Sequence, residues 1–274
     1  MRCTLIAFIL LAGFSVLCGA DFTLLDASGG VWDSSGLFRR MMEEKTSLLP
    51  ENQTLVLKKT AKLPGGLSAE QAAVVSGSGT EWKKRGLNYQ LAGWVTVVAA
   101  VGKDSPLENI SIEDLRRIYS GRVASWARFG GRELPIRRGG YTADTPQGRI
   151  FARKVMEMSV DKENTDINSR IAPGMLICRS ARGGAALLRA VPGMIVFADA
   201  DLIQMMHKDC KVLKIAGVFP NADNIASGRY PLAVQLGIVS SKKAPAQIVQ
   251  AAVDFLKSDL SGKVTSSDAI KVKK

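Results

Sequence analysis

Eleven consecutive residues, Leu91 to Val101, contain no charged side chain and only one hydroxyl, and four of them are valine. A run this apolar and β-branched reads as a central strand buried on both faces. Such a strand needs other elements packed over each side, which commits the chain to a layered α/β architecture.

The rest of the sequence fits that demand, because short apolar runs alternate with amphipathic stretches. Strands are expected at Phe22–Leu25, Gln53–Lys58, Ala72–Val75, Leu134–Arg137, Met175–Cys178, Met194–Ala198, Val212–Ile215 and Leu232–Val239. A helical pattern covers about 34–45. A second helix starts after Ser111, with Asp114 three residues later and Ile112, Leu115, Ile118 and Tyr119 on one face. A third opens at Thr145-Pro146, a capping hydroxyl followed by proline at the first helical position. The fourth covers Ala246–Leu260. No internal repeat or change of composition divides the 274 residues, so a second domain must be interleaved with the first.

Several chemistries drop out at once. The single histidine, His207, excludes a multi-His metal centre, and no Gly-x-Ser-x-Gly elbow accompanies it. No phosphate-cradling Gly-x-x-x-x-Gly-Lys-Ser/Thr loop is present. An enzyme, a metal and a cofactor are therefore not expected. Lys and Arg number 37 against 25 Asp and Glu, a net charge of +12. These cations are scattered and aromatics are only 6%, which argues against nucleic acid and for small anions or an acidic surface.

The first twenty residues pair a cationic start, Met1-Arg2, with an apolar run from Leu5 to Leu17 and then Cys18-Gly19-Ala20. That is the pattern of a secretory signal peptide cut after Ala20, giving a periplasmic or secreted protein. Cys18 suggests a lipid anchor instead, although bulky Leu17 precedes it; a retained anchor is the third reading. Cys178 and Cys210 remain after cleavage, and either pair as a disulfide in an oxidising compartment or stand as separate buried thiols.

Three segments then carry a family likeness. Ile112-Glu-Asp-Leu-Arg-Arg-Ile-Tyr-Ser-Gly121 with Trp126, Gly130-Gly131 and Leu134-Pro-Ile-Arg-Arg138 is the first; Val191-Pro-Gly-Met-Ile195 is the second; Asn224-Ile-Ala-Ser-Gly-Arg-Tyr-Pro-Leu232 is the third and most specific. Together they resemble the phosphate-type periplasmic substrate-binding proteins of ABC transporters, well over about 105–270 and loosely over 21–100. The resemblance implies a two-lobed type II periplasmic-binding-protein fold, each lobe a mixed sheet flanked by helices, with the ligand cleft between lobes. Lobe one would comprise 21–100 and 198–274, and lobe two 101–197. The implied function is capture of a small oxyanion, most readily phosphate, by a monomer that delivers it to a membrane permease. The alternative is the same fold with a degenerate site, serving as an envelope interaction or sensor module.

A tetrahedral oxyanion is best held by backbone amides, hydroxyls and an arginine fork. Three loops offer such parts: Ser28-Gly29-Gly30, Ser76-Gly77-Ser78-Gly79, and Arg138 leading to Thr145 and Gln147. Each also has a plainer use, as a turn, a flexible loop, a helix cap or a solvated arginine. The chain departs from the family at two places. Thr145-Pro146-Gln147 stands where phosphate binders carry Ser-Gly-Thr, and proline deletes one donor. Ser76–Gly79 lacks the family's aspartate, the acceptor for the ligand proton. The segment from Gly65-Gly66 to Ala72 is also too short for a full helix.

Overall fold

The computed structural model describes residues 21–28, 54–60, 63–142, 144–158, 170–205 and 210–261. The leader, the helical pattern at 34–45, Gly29, Gly30 and His207 lie outside them. The described chain runs β1 (Phe22–Ala27), β2 (Leu55–Lys59), β3 (Gln71–Ser76), α1 (Gly79–Lys84), β4 (Asn88–Gly102), β5 (Asn109–Ile110), α2 (Ile112–Tyr119), β6 (Arg137–Gly140) and α3 (Pro146–Lys154). It continues with β7 (Leu176–Ile177), α4 (Ala181–Ala190), β8 (Met194–Asp199), β9 (Cys210–Val212), β10 (Lys214–Ile215), α5 (Ala222–Ala226), β11 (Ala233–Ser240) and α6 (Ala246–Ser261).

The apolar run at 91–101 is the middle of β4, a 15-residue strand on which both halves of the molecule are hung. From Asn88 to Thr96 it pairs antiparallel with β11, and through β11 it joins β3, β1 and β2. From Val97 to Val101 it pairs antiparallel with β8, and through β8 it joins β6 and β7. The result is a mixed, continuous sheet with helices on its faces. In the first half, Ile248, Val249, Ala252, Val253 and Leu256 of α6 join the core that holds Phe22, Leu24, Ala72 and Val74. The opposite face, with Leu25, Ala73 and Val75, is covered by Trp82 of α1.

Two strand expectations need correcting. The strand expected at Leu134–Arg137 lies instead at Arg137–Gly140. Pro135 has no N–H to give a ladder, and it makes only an isolated bridge to Ser125. The run expected as one strand at Val212–Ile215 is split: β9 pairs with the far end of β4, whereas β10 pairs with β5. Helix α4 was hidden from the sequence by Gly183-Gly184. A Cβ on Gly184 would sit 3.1 Å from Val196 Cγ1, so glycine lets this helix lie close against β8. Cys178 and Cys210 form no disulfide; both are buried thiols.

The second half is centred on three aromatic rings. Phe151 of α3 stacks on Phe197 of β8 with centroids 3.9 Å apart and planes 5° from parallel, and Tyr119 meets Phe151 edge-on at 4.7 Å. Tyr119 turns its hydroxyl to the Gly139 carbonyl at 2.8 Å. Burial raises its phenol pKa well above the ordinary 10.0, and does the same for Tyr230. Burial also pushes Tyr89 up to about 12, and the Cys178 thiol from 9.0 to about 11. These groups stay neutral in the fold at a pH where the unfolded chain would release their protons. Their contribution is complete below about pH 9 and fades as pH rises through the folded values. Melting temperature is therefore expected to fall steadily from pH 9 to pH 11; a flat profile over that range would contradict the assignment.

Candidate functional site

Strand directions fix where a site can form. β1 and β3 are parallel, and the carboxyl end of β3 at Ser76 pairs with Leu236 of β11, which lies opposite Gly93 of β4. β6 and β8 are also parallel, and β8 ends at Asp199, opposite Val97 of β4. Because β8 runs against β4, the two sets of carboxyl ends face each other across Gly93–Val97. Four residues of strand separate them, roughly 13 Å. Ligands in open α/β sheets collect outside such ends, and here two sets converge on one gap.

From the first half come Ser28 and Ser76. The pair Ala27–Val75 puts them on adjacent strand ends, with strands about 4.8 Å apart. Ser28 is fully buried, and both its N–H (3.1 Å) and its hydroxyl (2.8 Å) donate to Asp26 Oδ1. Asp26 is itself buried at the end of β1. It supplies a carboxylate at this end of the sheet, next to the β3 loop that lacks one. Sequence reading passed over it because the pairing of β1 with β3, not spacing along the chain, brings it to the site.

The Ser76–Gly79 loop is a built turn, not a flexible one. Gly77, at φ 109°, donates its N–H to the Gln235 carbonyl at 3.0 Å, and Gly79 donates to Gln235 Oε1 at 3.3 Å. The Ser78 hydroxyl accepts the Thr80 N–H as the cap of α1. Among the described residues the Ser76 hydroxyl makes no hydrogen bond and remains available to a ligand. Gln235 is a further site residue that sequence reasoning missed, since it lies 156 positions from the glycine it caps.

From the second half come the loop after β6 and the start of α3. Thr145 accepts the Gly148 N–H at 3.1 Å and donates to the Thr142 carbonyl at 2.7 Å, so its hydroxyl is fully used in holding the helix start. A Cβ at Gly148 would stand 2.0 Å from the Thr142 oxygen; only glycine fits there. Gln147 is half-buried, and its amide makes no hydrogen bond among the described residues. Tyr141 donates its hydroxyl to Asp199 Oδ2, while Asp199 Oδ1 accepts the Asp201 N–H. Burial, then this hydrogen bond, raises the Tyr141 phenol far above its ordinary range. Midway along β4, Thr96 is completely buried and its hydroxyl has no partner among the described residues.

Arg138 is the expectation this geometry does not support. It pairs with Ile195 near the amino end of β6, and Ile195 lies opposite Val101 of β4, four residues beyond Val97. Its guanidinium forks onto two main-chain carbonyls, Ile118 at 3.2 Å and Pro173 at 2.9 Å. That use satisfies the carboxyl end of α2, where a cation is also favoured by the helix dipole. Replacing Arg138 with methionine should lower stability by only about 0.5–1.5 kcal/mol, since Ile118 still accepts the Gly121 N–H and the exposed Pro173 carbonyl turns to water, yet leave oxyanion affinity unchanged. Chemical denaturation beside an anion titration checks both halves of that statement.

A family model described as the PBP superfamily domain matches residues 65–259. The chain is 25% identical over 140 residues to the phosphate-binding protein PstS of Bacillus subtilis, a stretch covering 50% of this chain and 42% of that protein. It thus spans less than half the length of that relative. Among solved structures, it is similar to an ABC-type phosphate transport receptor from Vibrio cholerae, with TM-score 0.61, 18% identity, and 89% and 99% of the two chains covered. PstS from Borrelia burgdorferi aligns with TM-score 0.63 and 13% identity over 86% and 92% of the chains. A possible phosphate-binding protein from Planctomyces limnophilus aligns with TM-score 0.65 and 16% identity over 92% and 99%. At these identities the structural matches establish the two-lobed fold.

Proposed function

The chain belongs to the PBP superfamily, and on that premise we propose that it is a non-enzymatic periplasmic binding protein of the phosphate type, which captures a small oxyanion, phosphate foremost, for delivery to a membrane permease. The observation that supports this most is the pair of carboxyl-end sets facing each other across Gly93–Val97. Ser76, Ser78 and Gln147, with Gly29 and Gly30 that follow Ser28 in sequence, are the proposed ligand contacts, while Ser28 and Thr145, whose donors are spent on Asp26 and Thr142, hold the loop and the helix start in place. The lobes meet at the midpoint of β4, and the ligand is gripped as they close. The protein works as a monomer outside the cytoplasm, released there by cleavage after Ala20.

Phosphate at a hundred times its Kd should stabilise the fold by about 2.7 kcal/mol. For a chain of this size that is a rise in melting temperature of roughly 5–10 °C. Trp94 sits on β4 between the two sets of strand ends, buried in the core there, so its fluorescence should report the same titration. If phosphate, arsenate and sulfate at millimolar concentration all leave melting and fluorescence unchanged, the reading fails.

A second reading, an envelope interaction or sensor module without a transport ligand, is favoured by one feature. The guanidinium of Arg138 is committed to carbonyls, which leaves the proposed contacts short of a cation. Silence in every anion titration, together with capture of an envelope protein, would support that reading over the first.

A further inference from the structure

At the opposite end of the second lobe from the oxyanion gap, a cavity of about 440 Å³ opens beside the last residues of β4. It lies five residues beyond Val97, roughly 17 Å along the strand. Its volume falls within the range of small-molecule pockets, about 300–1,000 Å³. The floor is apolar and fixed: Leu188, Met194 and Trp126 line it, each less than a tenth exposed. Trp126 is locked by its indole N–H, which donates to the Gly193 carbonyl at 2.8 Å, and Gly131 packs against it. Gly193 is itself held at φ 75° under the Pro135 carbonyl, where no Cβ fits.

The mouth has a different character. Lys103, Arg132 and Arg189 stand exposed among its lining, with Asp104 the one carboxylate there. Among the described residues Lys103 and Arg132 form no ion pair. An apolar floor beneath a cationic rim selects a molecule with a greasy body and an anionic head. A fully hydrated inorganic oxyanion gains nothing from such a floor, because burying it there strips its water without donors to replace it.

We propose that this cavity is a second ligand site, independent of the oxyanion gap, for an organic anion with an apolar body such as a medium-length acyl carboxylate. The carboxylate meets Lys103 and Arg132 while the chain lies over Trp126, Leu188 and Met194.

Titration with anilinonaphthalene sulfonate, an apolar anion that brightens when its rings leave water, tests this on the full chain. Saturable binding of one probe per protein is expected, displaced by octanoate and unaffected by phosphate. The double variant Lys103→Glu/Arg132→Glu should weaken probe binding about tenfold or more, since rim attraction becomes repulsion, without altering the phosphate titration. Both positions are exposed, and a melting curve matching the parent confirms that the variant folds. The single variant Arg132→Ala should show a smaller loss in the same direction. Absence of saturable binding, displacement by phosphate, failure of octanoate to compete, or unchanged affinity in the double variant would each overturn the proposal.

Discussion

Replacing Phe151 with alanine should destabilise the protein by about 3–5 kcal/mol, enough to bring many domains close to unfolding at ambient temperature. The ring is fully buried, stacked on Phe197 and struck edge-on by Tyr119. Its removal opens a hole under α3 that the sheet cannot fill, because Phe197 is held from its other side. There Gly140 approaches so closely that a Cβ would meet the ring at 2.1 Å. Phe151→Leu keeps most of the volume and should cost much less, under about 1.5 kcal/mol if neighbours repack. Urea denaturation of the three proteins measures the order. Equal losses for leucine and alanine would mean that aromatic stacking, not volume, sets the stability of this lobe.

The second large effect concerns ligand, not fold. Ser76→Asp should abolish binding of a fully ionised oxyanion such as sulfate, with affinity reduced at least a hundredfold, whereas phosphate, which can give its proton to the new carboxylate, should lose less. Ser76 ends β3 at the gap, and its hydroxyl has no partner among the described residues. A carboxylate there would face the incoming anion. Two like charges about 4 Å apart repel by about 4 kcal/mol at the effective dielectric typical of such sites. Ser76→Ala removes only a neutral donor and should cost about 0.5–1.5 kcal/mol of binding. Anion titrations followed through Trp94 separate the outcomes. Undiminished sulfate binding by the aspartate variant would move the ligand away from these strand ends.

The parts of this molecule that were legible from its sequence are those whose physics is local. The central strand was announced by its own apolarity, and the helices at Ser111 and Thr145 by capping groups that the structure places as expected: Ser111 accepts the Asp114 N–H at 2.9 Å and Thr145 that of Gly148. The strand at Arg137–Gly140 was misplaced because its best residue, glycine, argues against a strand in isolation. It is a strand because Phe197 needs room above it. The site was only half visible. Serines and glycines at loop starts can be read along a chain. That Asp26 lies at the site, that Gln235 closes the Gly77–Gly79 turn, and that Arg138 faces α2 instead of the gap all depend on which strands lie side by side. Sheet order follows from contacts between segments far apart in the chain, and no short pattern encodes it.

At Thr96 and Val97 the central strand exchanges one hydrogen-bonding neighbour for another: Thr96 is the last residue opposite β11, and Val97 the first opposite β8. Val97 is also anchored twice to the returning chain, donating its N–H to Leu232 and accepting from the Tyr230 hydroxyl. The backbone is continuous through this point, so rotation of one half against the other has to be taken up as torsion in a ribbon, since no slack loop lies there. A torsion element resists in proportion to how far it is turned and springs back when released. The grip on a guest and its later discharge would then draw on the same stored twist.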